Sequence, residues 1–123
     1  MIARTWRGVT RAEDAEAYLA YLKNTGVADY RATSGNRGVI VERTIDGDRA
    51  IFELTTFWES EDAIARFAGD DINLARYYPE DDHFLLERPR HVTHATVVYL
   101  DIPSDRAQVV ESNGPTTTYA DAD

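Results

Sequence analysis

The sequence contains no cysteine, which excludes disulfides, thiolate catalysis and cysteine-ligated zinc or iron–sulfur sites. Positive charge is scarce: 13 Lys and Arg stand against 22 Asp and Glu, for a formal charge of -9. A nucleic-acid partner requires a basic face that displaces counterions around phosphates, so this balance argues against one, and equally against an anionic membrane. No apolar run approaches the roughly 18 residues of a membrane-spanning helix. The N-terminus, Met1 to Arg7, enters a strand pattern at once with no apolar h-region, so the chain reads as cytoplasmic and without a signal peptide. Histidine occurs only three times. There is no phosphate-binding glycine loop, no Gly-x-Ser-x-Gly and no His-Glu-x-x-His. The partners left by these exclusions are small molecules and a second copy of the chain.

The 123 residues, 43% of them hydrophobic, suffice for one domain with one core. Ile2 to Val9 reads as a strand. Thr10-Arg11-Ala12-Glu13 matches a capping box, and behind it Ala12, Ala15, Tyr18, Leu19 and Leu22 recur at helical spacing, with Gly26 as the stop. Residues 28–38 read as a polar loop. Arg37 to Ile45 and Arg49 to Trp58 are rich in Val, Ile, Phe and Thr, and they flank Asp46-Gly47-Asp48, a hairpin signal. Ser60 is a predicted N-cap, Glu61 and Asp62 favour the positive end of the next helix, and Ala63, Ile64, Phe67 and Ala68 supply its buried face up to Gly69. A shorter helical piece is expected from about Ile72 to Tyr78, then a surface loop at Pro79-Glu80-Asp81-Asp82, then a last strand from His91 to Tyr99. The order β-α-β-β-α-β is the ferredoxin-like, split βαβ plan: an α+β domain over residues 1–100, with a four-stranded antiparallel sheet and both helices on one face. Val39, Val41, Ile51, Phe57, Val92 and Val98 sit among strand positions of both phases, so neither face is uniformly polar, and a homodimer would cover the bare one. Residues 101–123 turn to Pro, Ser, Thr, Asn and Asp and read as an acidic, polar extension.

Trp6-Arg7-Gly8, Tyr18-Leu19-Ala20-Tyr21, Gly35-Asn36-Arg37-Gly38, Trp58-Glu59-Ser60, Phe67-Ala68-Gly69-Asp70, Tyr77-Tyr78-Pro79-Glu80-Asp81 and the late His94 resemble the antibiotic-biosynthesis-monooxygenase-like family over residues 1 to 99. The resemblance implies a dimeric α+β barrel with one pocket per subunit, between the sheet and its helices. It also implies oxidation of aromatic, quinol-like or enolisable small molecules without metal or flavin. In such chemistry the deprotonated substrate reduces dioxygen itself, and the protein supplies a base, an anion-stabilising donor and a dry cavity. A related branch degrades haem. Its strand Asn, helix Trp and His ligand are held here, by position, by Trp6, Phe67 and Tyr77, which argues against haem degradation. Near the family branch's Glu-His-Tyr-Glu this chain has Thr93-His94-Ala95-Thr96, so the ring and carboxylate that would orient the His are missing.

Each candidate has a functional and a structural reading. His94 shares a strand face with Val92, Thr96 and Val98, where it is either a base or a hydrogen-bonded histidine at an interface. Arg4 and Trp6 alternate onto one face of the first strand. Arg4 would stabilise an anion or form a buried salt bridge, and Trp6 would stack on a ligand or serve as core. Tyr77 is a candidate catalytic phenol because it stands at the ligand position of the related branch. Tyr18, Trp58 and Phe67 would wall the cavity or simply fill the core. Asn36, between two glycines, would reach the substrate or sit in a turn. Glu80, Asp81, Asp82 and His83 lack a spacing that converges on a metal and read as a solvated face. An enzyme should show an enclosed cavity into which both His94 and an Arg or Tyr point, and a non-catalytic binding or structural dimer should show the same positions packed solid.

Overall fold

The structure, a computed structural model, describes residues 1–103 together with the backbone of residues 110–112 and 117–119. Strand β1 (Ile2–Arg11) is followed by a 3-10 turn (Ala12–Asp14) and helices α1 (Ala15–Asn24) and α2 (Gly26–Ala32). Strands β2 (Asn36–Asp46) and β3 (Arg49–Trp58) form the hairpin around Gly47, and α3 (Glu61–Ala68), α4 (Asp81–Phe84), β4 (Leu85–Glu87) and β5 (Thr93–Thr96) complete the domain. The sheet order is β2-β3-β1, with β4 and β5 one after the other along the free edge of β1, β4 at its C-terminal end and β5 at its N-terminal end, all antiparallel. This is the ferredoxin-like α+β arrangement, with the last strand broken in two. Of the C-terminal extension, residues 101–103 are exposed and without regular structure, Val110–Ser112 and Thr117–Tyr119 pair as β6 and β7, and the rest lies outside the described residues.

Strand alternation assigns the faces. Arg4, Trp6 and Gly8 of β1 and Ala50, Phe52, Leu54, Thr56 and Trp58 of β3 turn to the helices, where they join Ala15, Tyr18, Leu22, Tyr30, Ala63, Ile64 and Phe67 in or beside one core. The opposite face presents Thr5 and Arg7 of β1, Ile40 of β2, and Ile51, Glu53 and Phe57 of β3. On that face Val9 is buried, whereas Arg7, Ile40 and Glu53 are exposed. Beyond β5 the chain leaves the sheet with Val98 91% and Tyr99 82% exposed.

Several local expectations are corrected. Thr10 is not a cap: it lies inside β1, fully buried, paired with Ala50 on one side and Leu85 on the other, and its hydroxyl donates to the Arg11 carbonyl at 2.9 Å. Ladder hydrogen bonds on both edges outweigh a capping box. Gly26 opens a second helix rather than ending the region, because Thr25 closes α1 through its hydroxyl on Tyr21 O at 2.7 Å. The expected polar loop is therefore helical up to Ala32, which places Tyr30 in the core against the rings of Phe67 and Trp58. No helix forms over 72–78. That backbone pairs instead with the segment before β5, through Ala75 N to Arg90 O at 2.8 Å and Val92 N to Asn73 O at 2.9 Å. The helical turn falls at Asp81–Phe84, where a surface loop was expected.

Candidate functional site

The site begins with Arg4. Strand β1 turns it toward the helices, where it is only 3% exposed. Its Nη2 donates to the Leu74 carbonyl at 2.8 Å, its guanidinium lies 5.7 Å from the centre of the Phe67 ring, and its Nε has no hydrogen-bond partner. Among the described residues it has no carboxylate partner. Burial disfavours the charged form and lowers its pKa, which the Tyr30 phenol partly opposes.

Two residues along, Trp6 folds over Gly8, whose missing side chain leaves room for the indole. Trp6 Nε1 donates to Tyr77 Oη at 3.2 Å, and Tyr77 in turn donates to the Pro89 carbonyl. The Arg88 guanidinium stands 4.2 Å above the Tyr77 ring. Burial raises the Tyr77 pKa, while Trp6 and Arg88 pull it back. Tyr77 is thus a protonated strap that ties β1 to the 88–90 turn.

Asp81, expected on a solvated loop, is 4% exposed. It accepts from Tyr18 Oη at 3.1 Å and from Tyr78 N at 2.7 Å, and no cation pairs with it among the described residues. Burial first, then the Asp81 charge, raises the Tyr18 pKa, so that phenol is a donor throughout the ordinary pH range. Tyr30, pushed up to about 12 mainly by burial, makes no hydrogen bond through its hydroxyl among the described residues.

These groups meet in one cavity between the sheet and the helices. Arg4, Trp6, Tyr18, Tyr30, Tyr77 and Asp81 line it, with Arg76 and Tyr78 on its outer wall. Its volume is about 20 Å³, enough for one ordered water and not for an aromatic ring. The outer wall is one segment: Arg76 reaches Asp29 at 3.6 Å and stacks on Phe67 and Tyr78, and Tyr78 Oη donates to Asp29 at 2.6 Å.

Of the residues singled out in the sequence, Arg4, Trp6, Tyr18 and Tyr77 line the cavity. His94 stands opposite Arg4 in the β1–β5 register, on the same sheet face, with its Nε2 buried and without a partner. Burial and then the Arg4 charge lower its pKa, against a smaller pull from Glu61, so its imidazole is neutral at pH 7. Phe67 lies one layer back, under Arg4 and Arg76. Trp58 is completely buried, donates to Thr56 Oγ1 at 2.8 Å and packs on Tyr30 and Phe67, away from the cavity. Asn36 sits at the start of β2, where its Oδ1 accepts from Gly38 N at 3.1 Å, so it holds a turn and does not reach the cavity. Sequence reasoning missed Tyr30 and Arg76, and it read Asp81 as part of a solvated face. Tyr30 was hidden by the polar residues on either side, and no spacing signal marked Asp81.

No family profile and no curated protein match the chain. Among solved structures it is similar to Rv0793 from Mycobacterium tuberculosis, at 22% identity over 84% of this chain and 98% of that one, with a TM-score of 0.49. It is also similar to a mutant of MhuD solved with two manganese protoporphyrin IX bound per active site, at 18% identity over 85% of this chain and all of that one, with a TM-score of 0.48. The assignment of fold rests on this chain's own strand order and register, which are those of a ferredoxin-like α+β domain.

Proposed function

We propose that this chain binds a phenolic or enolisable small molecule in the helix-side cavity and oxygenates it without a cofactor. The supporting observation is the pairing of two orphaned polar atoms. Arg4 Nε and His94 Nε2 are the buried side-chain nitrogens or oxygens without partners among the described residues, and they belong to register partners on one face of the sheet. Buried polar atoms in folded proteins are nearly always satisfied, so a pair of exceptions calls for a missing partner. A substrate hydroxyl meets both needs: its proton goes to the neutral imidazole, and its oxygen, now anionic, accepts from the guanidinium. The electron-rich anion then reduces dioxygen. Recombination forms a carbon–oxygen bond, and loss of water from the resulting peroxide leaves a carbonyl, so each dioxygen yields one quinone-type product and one water.

A ring enters only when the outer wall moves, since the closed cavity holds a single water. Tyr77 is the natural latch, held by Trp6 on one side and Pro89 on the other. The same closed cavity is too small for a porphyrin, and the Tyr77 hydroxyl is already committed, which keeps haem degradation disfavoured. It also favours a second reading, a non-catalytic dimeric module whose helix-side face is simply packed.

Oxygen uptake with a panel of anthrones, naphthols and catechols separates the two. Turnover that falls by about tenfold or more in both His94→Ala and Arg4→Met is the expected result. No uptake across the panel selects the non-catalytic module. Uptake unaffected by either substitution removes these two residues from the chemistry.

A further inference from the structure

The cavity holds a second charge that the reading above does not use. Arg4 and Asp81 carry opposite charges, are 3% and 4% exposed and line the same small cavity, yet form no ion pair with each other or with any other described residue. Opposite charges attract strongly inside a protein, and each buried charge left unpaired is costly. The chain holds them apart with neutral groups: the Leu74 carbonyl on Arg4, and the Tyr18 hydroxyl and Tyr78 amide on Asp81. The Tyr30 phenol, which lines the same cavity, feels both charges and bonds to neither.

We propose that this split pair is a two-ended recognition site for a diphenol, with one ligand hydroxyl oxygen accepting from Arg4 and a second hydroxyl donating to Asp81. A carboxylate has about four lone-pair positions, and the two donors on Asp81 leave room for another. A neutral donor fits better than an ammonium group, because the site already holds Arg4 and Arg76 and a further cation would be repelled. The aromatic walls, Trp6, Tyr18 and Tyr77, suit a flat ring between the two ends. This inference rests on the phenol-binding reading and adds Asp81 as the group that selects among phenols.

The test is anaerobic calorimetric titration of the full chain with phenol, hydroquinone, resorcinol and the monomethyl ethers of the two diphenols. In the wild type, at least one diphenol should bind about tenfold tighter than phenol and than its own monomethyl ether, the size expected of a hydrogen bond to a buried charge. In Asp81→Asn that preference should shrink to about twofold or less, with phenol affinity little changed. Diphenols binding no tighter than phenol would overturn the two-ended site while leaving phenol binding intact. A preference that survives in Asp81→Asn would overturn the role of Asp81. No binding by any of the compounds would overturn both this inference and the reading beneath it. If Asp81→Asn fails to fold, the wild-type series decides alone, because the monomethyl ethers remove the donor from the ligand instead of the acceptor from the protein.

Discussion

Trp6 reaches Tyr77 only because it lies back along its own strand, over Gly8. A Cβ on Gly8 would overlap Trp6 Cη2 and stand 2.6 Å from Cζ2, so Gly8→Ala must expel the indole and break its bond to Tyr77. Overpacking of this kind costs about 1–3 kcal/mol, which denaturant titration followed by tryptophan fluorescence will read. Trp6→Phe in the same chain removes the atoms that clash, so the double variant should lose less than the sum of the two single variants. Strict additivity would mean that the two residues do not share this space. The residue scale also shows what the sequence could reveal of the site. Strand alternation alone puts Arg4 and Trp6 on one face, whereas the position of His94 opposite Arg4 depends on the β1–β5 register, which no local pattern states. Asp81 was not legible either, since its burial depends on Tyr18, 63 positions earlier in the chain, closing over it.

Helix α3 is the element whose start the sequence states most directly. The Ser60 hydroxyl accepts from Ala63 N at 3.1 Å, Glu61 and Asp62 occupy the first turn, and Gly69 ends the helix at φ 91. Ser60→Ala should lower stability by about 1 kcal/mol and Ser60→Asp should restore most of it, because an aspartate caps as well as a serine. Equal losses in both variants would show that the hydroxyl acts in some other way. The same local chemistry made β3 legible to the residue and the hairpin around Gly47 unambiguous. It misled at Thr10, where a sound capping box lost to ladders on both edges of β1, and over 72–78, where helical spacing lost to pairing with residues 90 and 92. Both errors have one cause: local propensity is worth tenths of a kcal/mol per residue, and long-range strand pairing overrides it.

On the scale of the whole molecule the sheet face away from the helices is the outstanding feature. It combines Ile40, Ile51 and Phe57 with a groove of about 630 Å³ that includes Arg7, Glu53, Glu87 and Arg88. Beyond β5, Val98, Tyr99, Leu100 and Ile102 extend into solvent as an apolar arm. Exposed apolar area of this extent is unusual for a monomer, and a groove carrying both signs of charge is self-complementary under a two-fold axis. A second copy that contributes both its sheet face and its arm is the proposed cover, and it would shield the Arg88–Tyr77 latch from one side of the molecule. Light scattering on the eluting protein should therefore give twice the chain mass of 13.9 kDa. Val98→Asp with Tyr99→Asp tests the arm and Phe57→Asp tests the face, because a charge buried in an interface without a partner costs several kcal/mol. Each should produce the single-chain mass at micromolar concentration with the far-ultraviolet circular dichroism spectrum retained. A wild type of single-chain mass would refute the pairing. A dimer that survives the arm variant and yields to the face variant would place the contact on the sheet alone.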